Sequence, residues 1–151
     1  MTTMTGQPTP FRDLPFMQAF LDLVIPPGED GRMPGAGSLG LAPEVGARLE
    51  GDPLLGPLVQ AGLQAVRDAA FARDPGGLPG LPPRARLEVV EAQLAAHPVL
   101  MMGVARYLYP AYYQHPLVLE GIGEPPRPPF PEGFEVEPTD AHLLAKLRKR
   151  K

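Results

Sequence analysis

The chain reads as an all-α protein, and three observations say so. Apolar residues recur at three- and four-residue spacing in successive segments, as in Phe16, Phe20 and Val24, which is the period of a one-sided helix. No segment shows the sustained two-residue alternation of a half-buried strand. The 22 prolines and 17 glycines cluster between the periodic segments, where they act as punctuation rather than as low complexity. The expected architecture is a small domain of roughly five or six helices joined by long Pro/Gly-rich loops. Residues 1–10 read as a flexible arm and 11–151 as one helical domain. That domain includes an extended proline-rich strap over 124–138 and a terminal helix with a basic tail over 139–151.

The elements follow in order. Asp13 precedes LPFMQAFLDLVI, residues 14–25, where it can cap a helix whose first turn tolerates Pro15. Pro26 and Pro27 end that helix, and PPGEDGRMPGAGSLG (26–40) has no period, so it reads as a long loop. Loops of this length in compact domains are usually functional, partner-bound or mobile. Residues 41–50 suit a short helix. Asp52-Pro53 then opens a longer one with Leu55, Val59, Gly62, Val66 and Ala70 along one face. Its regular part is expected to begin near Pro57, because an interior proline costs about 3 kcal/mol. RDPGGLPGLPP (73–83) is a second loop. Residues 84–96 place Leu87, Val90 and Leu94 on one face and stop where Pro98 restricts His97.

VLMMGVARYLYPAYY (99–113) is apolar nearly all round. Such a helix is expected at the buried centre of a bundle or at an interface, with a kink near Pro110. A short LVLEGIG segment follows Pro116, then the strap EPPRPPFPEGFEVEP, then a helix carrying Leu143, Leu144 and Leu147.

Composition excludes several classes of function. With no cysteine, disulfides, thiolate chemistry and sulfur-rich metal sites are ruled out. A net charge of −3 gives no bulk attraction to nucleic acid or to anionic membranes. The longest apolar run, VLMMGVA, is far short of the ~18 residues of a membrane span. MTTMTGQPTPFRD has neither a basic start nor an apolar signal core. The sequence as it stands is therefore expected in the cytoplasm, with the periplasm open to it if a leader was removed or a partner exports it.

The motifs divide unevenly. GAGSLG (35–40) matches the dinucleotide fingerprint G-x-G-x-x-G. That fingerprint needs a strand running into its first glycine and an acidic residue about twenty positions later. Met33-Pro34 and LVQAGLQ stand in those places, so the glycines are expected to let a connector bend. His97, His115 and His142 share no helical turn with one another, and the two that precede proline suit helix ends. Ser38, the only serine, has no local base. PPRPPF suits a docked strap or a polyproline ligand, and KLRKRK suits a solvated helix end or a phosphate contact.

The most informative feature is the run in which all four tyrosines fall within seven residues, 107–113, beside Arg106 and His115. Their spacing puts them on more than one face of a helix. Tyr and Arg on a surface make interface hot spots, whereas phenolic rings in a core need partners for their hydroxyls. The sequence leaves both readings open.

At this run the chain resembles the small subunit (subunit 3) family of gluconate 2-dehydrogenase. The resemblance covers 96–138 through Tyr112, Tyr113, His115, Pro116, Leu119, Gly121, Gly123 and 128–133. LDLVIPPGEDGRMPGAGSLGLAPEV (21–45) adds a helix ending in Ile-Pro, an acidic loop and a Pro-x-Ala entry to the next helix. The resemblance implies a helical, non-catalytic accessory subunit. Its partner would be a large FAD-dependent dehydrogenase of the glucose-methanol-choline type acting on a sugar or polyol, with or without an electron-acceptor subunit. FAD would belong to that partner, and this chain would hold no cofactor. The absence of a twin-arginine leader departs from the family pattern. The candidate partner interface is Arg106, Tyr109, Tyr112, Tyr113, His115, Pro128, Pro129 and Phe130. The alternative is a stand-alone ligand-binding protein or enzyme in which Arg106, Tyr109, Tyr113 and His115 converge on one pocket.

Overall fold

Asp13 does what its position predicts. In a computed structural model, which describes residues 8–126, its carboxylate accepts from the Phe16 N–H at 3.2 Å and opens helix α1 (Leu14–Val24). Phe16, Met17, Phe20 and Leu21 are buried, so α1 turns one face inward. Six further α-helices follow among the described residues: α2 (Ala42–Glu50), α3 (Leu55–Arg73), α4 (Gly77–Gly80), α5 (Pro83–Leu94), α6 (Leu100–Tyr113) and α7 (Pro116–Gly121). The described residues contain no strand. The all-α reading holds.

Helix α3 begins two residues before Pro57 because Asp52 accepts from the N–H groups of Leu54 and Leu55, each at 2.9 Å. Two orphan donors at that end are thereby satisfied. Helices α3 and α6 cross closely around glycine. A Cβ on Gly103 would overlap the Val59 side chain, and one on Gly62 would lie 3.1 Å from Leu100 Cδ1. Any larger residue at Gly103 would push the helices apart. Val59, Leu63, Val66, Leu100, Val104 and Leu108 fill the core around this crossing and are fully buried.

Several expectations need correction. Within the arm, Pro10 begins a 3-10 turn (Pro10–Arg12) and is buried. The buried Arg67 donates to the Pro8 carbonyl at 2.8 Å and to Gln64 at 2.8 Å, and its guanidinium lies 3.5 Å from the Asp13 carboxylate. These contacts fasten residues 8–13 to α3. Within the loop at 73–83, the single turn α4 buries Leu78. The loop at 26–40 ends in a second 3-10 turn (Ala36–Leu39) packed on α1. Helix α6 runs to Tyr113 with Pro110 inside it, over the range its sequence suggests, and it carries both buried and exposed residues. Of the strap, residues 124–126 are exposed, while 127–138, Pro128, Pro129 and Phe130 among them, and the terminal helix lie outside the described residues. Among the described residues, no helix is long and apolar enough to cross a membrane.

Candidate functional site

Four-residue periodicity splits α6 into two faces. Leu100, Val104, Leu108 and Tyr112 recur every fourth residue and are buried. Met102, Arg106, Tyr109 and Tyr113 recur at offsets of four, seven and eleven residues, which is a single helical stripe. This stripe faces outward: Met102 is 68% exposed, Tyr109 45% and Tyr113 52%, and Arg106 is exposed as well. Beside it runs a shallow groove of about 450 Å³ lined by Leu55, Met102, Gly103, Ala105, Arg106, Tyr109 and Pro110. The same start of α3 that supplies Leu55 also leaves Leu54 and Leu58 exposed, at 80% and 54%. An apolar surface shared by two helices and carrying one cation is the candidate site.

The tyrosines divide by what their hydroxyls do. Tyr112 is buried and donates to the Pro34 carbonyl at 2.8 Å. Burial holds its phenol above the ordinary value, with Tyr113 adding to the shift. Tyr107 donates to the free oxygen of the Asp52 carboxylate at 2.6 Å, which raises the phenol. The same bond is the largest cause lowering Asp52, followed by the N–H groups of Leu55 and Leu54, with Arg106 adding a smaller through-space pull. Tyr109 and Tyr113 lie outside. Their ring centroids are 6.4 Å apart, and Tyr113 meets the Tyr112 ring edge-on at 5.2 Å. A core ring thus braces an exposed one.

Tyr112 and His115 are both engaged within the fold. Tyr112, a candidate for a partner interface, is instead buried in the core, edge-on to Tyr113. His115 caps α7, accepting from the Leu117 N–H at Nδ1 over 3.3 Å. Arg106 and Tyr109 share the groove with Met102, whereas Tyr113 and His115 do not line it. A larger depression of about 740 Å³ lies between the 26–40 connector and α7, lined by residues including Arg32, Leu117 and Ile122 but by none of the tyrosines. The tyrosine run does not point to Leu54, Leu55 or Leu58, whereas Met102 stands four residues before Arg106 and seven before Tyr109, a spacing that puts it on their stripe.

GAGSLG has a structural occupation. The Gly37 N–H donates to the Asp22 carboxylate at 2.8 Å, and the Ala36 N–H to the Ile25 carbonyl at 3.0 Å. A Cβ at Gly35 or Gly37 would collide with Asp22, and at Gly37 also with the Gln18 carbonyl. The glycines permit close packing on α1, and the N–H group that would serve a phosphate is taken by a protein carboxylate. Among the described residues no group of three or more His, Cys, Asp or Glu could hold a metal ion. Comparison with protein-family models, curated proteins and solved structures finds no match.

Proposed function

We propose that this chain is a non-catalytic accessory subunit that docks on a large partner through the outer face of α6. We further propose that the partner is an FAD-dependent sugar or polyol dehydrogenase of the glucose-methanol-choline type, which it stabilises or helps to assemble. The observation that carries the reading is the exposed Met102–Arg106–Tyr109–Tyr113 stripe beside its apolar groove. Tyr, Trp and Arg are enriched among interface hot spots, and here two tyrosines and an arginine share one exposed stripe. Near the stripe, Tyr107 holds Asp52, Tyr112 holds the Pro34 carbonyl and His115 caps α7. The flavoprotein identity rests on the sequence resemblance over 96–138, the stretch that contains α6. In this reading FAD is the partner's and this chain contributes surface.

Co-expression with the large flavoprotein tests the reading. The expected result is a yellow, stoichiometric complex and a higher yield of active flavoprotein. If the chain purifies alone and leaves that yield and activity unchanged, the reading fails.

A further inference from the structure

Every backbone donor in the first turn of α7 depends on His115. Pro116 has no N–H to place. The Leu117 N–H donates to the His115 imidazole at 3.3 Å, and the Val118 and Leu119 N–H groups donate to the His115 carbonyl at 3.0 Å each. His115 itself is extended, at φ −70° and ψ 133°, as a residue before proline prefers to be. The helix thus starts on one residue, and that residue can take up a proton.

The capping atom is Nδ1. A neutral imidazole has one nitrogen with a free lone pair and one that carries hydrogen. With Nδ1 accepting from Leu117, Nε2 holds the hydrogen, so an added proton can go only to Nδ1. Protonation and capping therefore compete for the same lone pair. The imidazolium also sets a donor against a donor and a positive charge at the positive end of a helix. We infer that His115 is a pH-sensitive latch: neutral, it closes the first turn of α7, and protonated, it releases it.

The latch acts on one wall of the larger depression. Leu117, Gly121 and Ile122 line it from α7, and Arg32 and Pro34 from the connector. Val118 is fully buried and anchors α7, and a Cβ on Gly121 would lie 2.8 Å from Met33 Sδ and 3.1 Å from the Arg32 carbonyl. Release loosens the Leu117 end of that wall, while the connector keeps its own ties, Tyr112 to Pro34 and Gly37 to Asp22. The charged and titratable groups on the elements packed against α7 are Arg106 and the four tyrosines on α6, and Glu29, Asp30 and Arg32 on the connector. Glu120 lies on α7 itself and Glu124 just beyond it. Among the described residues none of these forms an ion pair with His115, and Asp30 is turned to Arg32.

The test needs only the full chain, with amide exchange and imidazole titration followed together by NMR. The range is about pH 8 to about pH 5, the span over which an imidazole changes charge. After correction for the intrinsic pH dependence of exchange, protection of the Leu117, Val118 and Leu119 amides should fall about fivefold, the scale of one lost helix cap. The fall should track protonation of the His115 ring, with no matching change in α1 or α3. His115→Asn supplies a capping oxygen that does not titrate, so its α7 should hold one level of protection across the range. His115→Ala should show the low level throughout. Constant protection of α7 while the His115 ring titrates would overturn the latch, and so would an equal fall in His115→Asn.

Discussion

The two pairs of tyrosines on α6 have the same side chain and opposite circumstances. Tyr107 and Tyr112 give their hydroxyls to Asp52 and to the Pro34 carbonyl, and so tie α6 to the start of α3 and to the connector after α1. Tyr109 and Tyr113 lie about half exposed, with their rings side by side. The first pair spends its polarity inside the fold, whereas the second presents ring surface to solvent. On the docking proposal, substitutions in the first pair should move the melting curve, and in the second, partner affinity.

Removing the Tyr112 ring should have the largest effect. Tyr112→Ala opens a cavity where α6 meets the connector, and large aromatic truncations of this kind cost about 3–5 kcal/mol. Chemical denaturation of the free chain should show that loss. Tyr112→Phe keeps the packing and gives up the hydrogen bond to Pro34, for which a loss of about 1 kcal/mol is expected.

Titration sharpens the comparison next. Asp52 is lowered in the folded chain from an ordinary 3.8, so its contribution is complete above that value and is lost as pH falls through the folded pKa. Tyr107 is raised from 10.0, so its contribution is complete below that value and is lost as pH rises through the folded pKa. Asp52→Asn and Tyr107→Phe each remove the shared bond, so either should flatten both the acid and the alkaline limb of a stability–pH profile. Neither change should touch the plateau shape between. If both limbs are unaltered, the bond does not couple α6 to α3 as described.

At the small end, Met102→Ala and Tyr109→Ala should shift the free chain's stability by no more than about 0.5 kcal/mol, the usual scale for exposed positions. A loss of several times that would place these side chains in the core and erase the distinction between the two faces.

Much of this fold is legible in the residues because its causes are local. Asp13 before Phe16 and Phe20 announces α1, and Leu55, Val59, Gly62 and Val66 announce α3 by period alone. The connector at 26–40 is not legible, because its packing depends on Asp22, fifteen residues before Gly37. GAGSLG spells small residues without saying what they approach. Helix α4 escapes notice because a four-residue turn has no period. On α6 the apolar pattern is nearly continuous, so the spacing separates two tyrosine faces but does not say which faces inward. That choice is made by Pro34 and Asp52, which accept the two inner hydroxyls from elsewhere in the chain.

The most direct measurement is titration of the large flavoprotein with the full chain and with its Met102→Ala/Tyr109→Ala variant. Two hot-spot side chains worth about 2 kcal/mol or more each predict a loss of at least about 100-fold in affinity, at unchanged melting temperature of the free chain. Equal affinity for the two proteins would contradict the claim that the outer face of α6 is the docking surface.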